Sequence, residues 1–133
     1  MENVNIWAVI VAGFIPLIIG AVWYSPALFL KPWMEANGFS EEDLKRVNPA
    51  RNYTLTLIFS LIMSYNLAMF LADESTDFVW GLTAGALAGV GWVALSFIII
   101  GLFEMRSWKY MLINAGYLMV IFILMGAVIG GWR

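Results

Sequence analysis

Tyr24, Ser25, Tyr53, Ser96, Glu104, Arg106 and Asn114 are the polar side chains of this 133-residue chain whose spacing lets them act on one ligand. A hydroxyl activated by a neighbouring base is the minimum for nucleophilic chemistry. Here that would be Ser25 or Tyr24 with Glu104 or Lys109. No recognisable catalytic spacing joins them, so no catalytic residue is assigned. The chain has no Cys and no His. Thiolate nucleophiles, imidazole acid–base work and nearly all transition-metal ligation are thereby removed, and neither a metal nor a cofactor is expected. Two uses remain for the group. Together with Trp23 it forms an inner-facing polar pocket for a substrate or lipid head group, or it pins a loop and satisfies helix ends.

The elements that must position these residues are written in the composition. Hydrophobic residues make up 62% of the chain and charged ones 12%, against about 45–50% and about 25% in soluble domains. Four runs reach the roughly 20 residues that a hydrocarbon core requires: about 6–24, 53–71, 78–103 and 108–132. The expected fold is all-α, a polytopic membrane protein of four transmembrane helices forming one domain over 1–133. Trp7, Trp23, Trp80, Trp108 and Trp132 fall at the ends of these runs, where amphipathic rings prefer the headgroup zone. Met1–Asn5 holds no Lys or Arg, so the first run reads as a retained anchor and not a signal peptide.

Between the first two runs lies the 25–52 segment. Ser25-Pro26 reads as a helix start, with a short interfacial helix over Ala27–Met34 that Pro32 should break or bend and Gly38 can end. Ser40 with Asp43 then reads as a capping box opening a second short helix. Lys31, Lys45, Arg46, Arg51, Arg106 and Lys109 sit in the first and third connections, and only Arg133 lies on the other side. The positive-inside rule makes those connections cytoplasmic and leaves both termini outside. At this depth Tyr24, Ser25, Tyr53, Ser96 and Asn114 all fall towards the cytoplasmic leaflet. Glu104 and Arg106 stand two residues apart, which suits a turn better than an ion pair on a helix face.

Packing should follow the small residues. At about 100° per residue, Gly81, Ala84, Gly85, Ala88, Gly89, Gly91 and Ser96 share one side of the third run, with Trp92 in the middle of it as a plug for the groove or, alternatively, the lining of a pore constriction. Such a shaved face lets another backbone approach. Gly13, Pro16, Gly20 and Trp23 form a comparable stripe on the first run, with Pro16 bending it. Tyr53, Thr56, Ser60 and Ser64 lie along one side of the second run, the serine and threonine hydroxyls bonding back to their own helix, and Asn66 is expected to clamp a neighbouring helix. On the fourth, Gly116, Gly126, Ala127 and Gly130 lie opposite Asn114.

Two of these stretches carry a resemblance. Gly20-x-x-Trp23-Tyr24-Ser25-Pro26-x-Leu28-Phe29 with Lys31-x-Trp33-Met34 and Gly38 is one. Leu102-Phe103-Glu104-x-Arg106-x-Trp108-Lys109 with Ile113-Asn114-x-Gly116 is the other. Together they resemble a bacterial family of small four-helix integral membrane proteins known as a domain of unknown function. The resemblance implies that fold and a bacterial inner membrane, and it marks Trp23, Tyr24, Ser25, Pro26, Glu104, Arg106 and Asn114 as important. Some members carry a histidine where this chain has Leu118. It implies no activity.

Function classes narrow accordingly. A net charge of −2 without a basic tract excludes nucleic acid as a partner. None of the nine acidic residues falls inside an expected span, so a cation-coupled exporter lacks its carboxylate. The expected protein is a homo-oligomer among membrane lipid that passes small solutes or ions between subunits. The alternative is a non-catalytic structural or partner-binding membrane subunit.

Overall fold

The computed structural model describes residues 4–133, and among these no strand occurs. Glu2 and the first part of the Met1–Asn5 segment lie outside the described residues. Six helices follow one another: α1 (Ile6–Trp23), α2 (Leu30–Asn37), α3 (Glu41–Lys45), α4 (Pro49–Phe70), α5 (Phe78–Phe103) and α6 (Trp108–Gly131). The long ones, α1, α4, α5 and α6, are each apolar enough to cross a membrane. The chain is therefore a multi-pass, all-helical membrane protein.

Every long helix starts at a side chain that accepts from its first free amides. Asn5 accepts from Trp7 and Ala8, Asn48 from Arg51, Asp77 from Trp80 and Ser107 from Tyr110. Asn48 followed by Pro49 starts α4 four residues before the expected position, because proline suits the first helical turn. The capping box of α3 is present as expected, with Ser40 and Asp43 bonded reciprocally.

Ser25 does not cap α2. Its hydroxyl donates back to the Val22 carbonyl at 2.7 Å, and residues 25–29 turn the chain before the helix begins at Leu30. Pro32 then falls in the first turn, where its missing N–H costs nothing, and α2 runs unbroken to Asn37. Gly38 ends it with φ 69°, a left-handed conformation natural to glycine.

The central element is α6. It is the most buried of the four spans. Against one side of it lies α5; α1 packs on another, α4 leans on α1 and touches α6, and α2 crosses the end near Trp108. At the far end Val9, Ala12, Leu67, Ala68, Leu71, Met125 and Ile129 form a packed core. Ser64 donates there to the Val9 carbonyl at 2.8 Å, bridging α4 to α1. Asn66 does not clamp a helix: it lies exposed on the outside of α4.

The α5–α6 seam is a glycine contact. A Cβ added at Gly81 would collide with the Gly126 carbonyl, one at Gly85 with the Phe122 carbonyl, and one at Gly130 would lie 2.5 Å from the Asp77 carbonyl. Gly81, Gly85 and Gly89 thus pack as expected, but within the chain, so these faces are not free for self-association. Trp92 does not join them. It is 79% exposed to the surroundings, and nothing stands within 4 Å of a Cβ at Gly91. The reason is local: Gly89–Ala94 is a π-helical turn. Its i→i+5 step admits an extra residue. Past Gly89 the inward positions become Ala94 and Gly101, and the 100° wheel that centred Trp92 goes out of phase.

Candidate functional site

The first stripe, on α1, divides between two neighbours. Gly13 meets Leu61 of α4, whereas Pro16, Gly20 and Trp23 meet α6. Trp23 lies on Gly116, where a Cβ would come within 2.9 Å of its ring, and its indole N–H donates to the Ile113 carbonyl at 2.9 Å. One turn along, the Tyr117 hydroxyl donates to the Pro16 carbonyl at 2.7 Å. Gly20 leaves room for that ring, with Tyr117 Oη 3.4 Å from a Cβ built there.

At the end of α1, the Tyr24 hydroxyl donates to Asn114 Oδ1 at 2.5 Å, and Asn114 Nδ2 donates to the Tyr110 carbonyl at 3.1 Å. Tyr24 is packed edge-on to Trp33 of α2 with centroids 5.6 Å apart, and against Tyr117 at 5.4 Å. The tethers of α2 come from the start of α6 and the turn before it. Arg106 Nη2 donates to Asn37 Oδ1 at 2.6 Å while its guanidinium lies 3.6 Å over the Tyr110 ring. Lys109 pairs with Glu35 at 2.8 Å. The Lys109 hydrogen bond, with its charge and that of Lys31, holds the exposed Glu35 carboxyl below its ordinary value.

Tyr24, Trp33, Asn114 and Tyr117 form a wall between two clefts. The larger, about 680 Å³, lies between α1, α4 and α6 and is lined also by Pro16, Leu17, Gly20, Ala21, Ser25 and Thr56, with Asn52 and Tyr53 at its mouth. The smaller, about 440 Å³, opens towards α5 beside Asn37, Phe97 and Tyr110. Among the described residues no charged side chain lines either one.

Of the residues expected to converge, Tyr24 and Asn114 line both clefts and Ser25 and Tyr53 the larger one, whereas Trp23 packs on Gly116 and Arg106 reaches Asn37 and Tyr110 without lining either. Ser96 does not. It is exposed on α5, displaced by the π turn. Glu104 does not either: it stands exposed at the turn before Met105, which takes φ 56°, and among the described residues it has no ion pair. Trp33, Asn37, Tyr110 and Tyr117 were missed. Tyr110, Asn114 and Tyr117 recur at four and three residues, one helix face, and that spacing was a legible signal.

Here the hydroxyls of Tyr24, Ser25, Thr56 and Tyr117 each donate to a carbonyl oxygen. A family model described as a protein of unknown function (DUF1761) matches residues 7–130. No curated protein and no solved structure matches the chain.

Proposed function

The chain belongs to that family of unknown function, and from this premise we propose that it is a non-catalytic membrane subunit that holds an amphipathic ligand in its larger cleft. The observation that carries this reading is the lining of the cleft, polar and aromatic at Asn52, Tyr53, Tyr24 and Trp33 and apolar at Pro16 and Leu17. The cleft runs from Asn52 and Tyr53 to Pro16, eight residues up α1 from Tyr24, or about 12 Å at the helical rise. Beyond Pro16 the packing of Val9, Ala12, Leu67 and Met125 closes the bundle. A compartment with a polar aromatic mouth and an apolar floor suits a molecule with a head and a tail.

Passage of small solutes or ions would have to cross that core or run between copies of the chain. The glycine faces of α5 and α6 are occupied by each other, so any homo-oligomer uses other surfaces. Six basic residues at the cleft end against Arg133 at the other favour a cytoplasmic position for the cleft and external termini. The membrane is the bacterial inner one that the resemblance implies.

The test is native mass spectrometry of the protein purified in mild detergent, with solute and ion flux in proteoliposomes beside it. Ala21→Leu narrows the mouth at an exposed position and Gly20→Leu fills the interior. Both should lose co-purified amphiphile, Ala21→Leu without a fall in melting temperature, and neither vesicle type should leak more than protein-free ones. Unchanged retention in both variants, or flux that needs the protein, would sink the proposal.

A further inference from the structure

We infer that the group held in the larger cleft is a protonated amine carried on an amphipathic molecule. This rests on the reading of that cleft as a ligand site, and it follows from where the hydroxyl protons point. Tyr24 donates to Asn114 Oδ1, Ser25 to the Val22 carbonyl, Thr56 to the Asn52 carbonyl and Tyr117 to the Pro16 carbonyl. A hydroxyl has one proton and two lone pairs. Each of these four therefore offers an incoming molecule acceptors alone, Tyr53 at the mouth being the hydroxyl outside this set, and a cluster of acceptors selects a donor.

An ammonium brings three donors and a charge. The charge is matched by rings, because Tyr24, Trp33 and Tyr117 stand together with centroid separations of 5.6 and 5.4 Å. Aromatic faces attract a desolvated cation. An anion finds no counterpart: among the described residues no Lys or Arg lines the cleft, and nearby Arg106 is committed to Asn37 and the Tyr110 ring. The amide and indole N–H groups of Asn52, Asn114 and Trp33 suit ester or phosphate oxygens linked to the amine. Pro16, Leu17 and Gly20 supply the apolar part. The ammonium of an ethanolamine lipid and that of a free alkylamine share this chemistry.

The experiment loads the full-length protein with phosphatidylethanolamine, phosphatidylcholine or phosphatidylglycerol and reads retention by native mass spectrometry. In parallel, dodecylamine, dodecyltrimethylammonium and dodecanol are titrated against tryptophan emission. Ethanolamine lipid retained over the other two, with dodecylamine binding about tenfold tighter than both analogues, supports a lipid amine. The same dodecylamine preference without lipid selectivity supports a free one. Thr56→Val should shrink the preference for amine over alcohol, since an ammonium brings more donors than a hydroxyl. Equal retention of all heads that Ala21→Leu abolishes overturns the amine and leaves the cleft as a ligand site. No retention and no titration overturns both.

Discussion

Asn114 joins two segments through one amide: it accepts from Tyr24 at the end of α1 and donates within α6. Removing one partner of a buried hydrogen bond leaves the other with its full desolvation penalty. Asn114→Leu should lower stability by about 1–3 kcal/mol and Tyr24→Phe by about 1 kcal/mol. The double variant should recover part of the sum, since coupled residues are not additive. Thermal melting of all four proteins in one detergent checks this, and strictly additive losses would argue against the pair. Trp92 gives the opposite expectation. With 79% of it exposed, Trp92→Ala should leave the melting temperature unchanged, where a buried plug would cost about 3–5 kcal/mol. Brominated acyl chains should quench it strongly.

The α5–α6 seam is decided by backbone contact at the element scale. Gly85→Leu has to displace the Phe122 carbonyl, so it should cost at least the ~1–3 kcal/mol of ordinary overpacking and detach α5. Gly91→Leu, two residues beyond Gly89 but facing open space, is the control and should melt like the parent. Equal behaviour of the two would refute the seam. The cap formed by α2 should respond to pH through Glu35. Its carboxyl sits below the ordinary value because Lys109 bonds and attracts it. A depressed folded value means the pairing contributes above the unfolded carboxylate range and is lost as pH falls through the folded one. Trp33 emission should therefore shift red below about pH 4, and Glu35→Gln should show that shift at neutral pH. High salt should mimic it, because the pair is exposed.

Across the whole molecule, charge divides by end. At the cleft end stand α2, α3 and six of the seven basic residues. At the other, Arg133 donates to the Leu71 and Asp73 carbonyls at 2.5 and 2.8 Å, satisfying the capping residue of α4 and bracing the connection that follows it. Cysteines introduced at Glu41 and Ser75 should report this division. An impermeant thiol reagent added outside intact cells should label Ser75→Cys and spare Glu41→Cys until the membrane is opened. Labelling of Glu41→Cys alone would invert the orientation.

Sequence by itself determined the solvent, the number of spans and most of their ends, because hydropathy, tryptophans and capping residues act within a turn or two of where they stand. It also picked out Tyr24 with Asn114 and Gly81 with Gly85, since residues at one membrane depth or on one helical face are comparable before folding. What the glycines touch was decided only by tertiary structure: whether α6 or a second copy fills a shaved face depends on how helices are arranged in space. The same holds for the π turn, which put Trp92 and Ser96 outside. Its extra residue follows from α5 keeping contact with α6, and no local spacing encodes that. The larger cleft belongs to the same class, because its walls come from α1, α4, α6 and α2 and exist only once all four are packed.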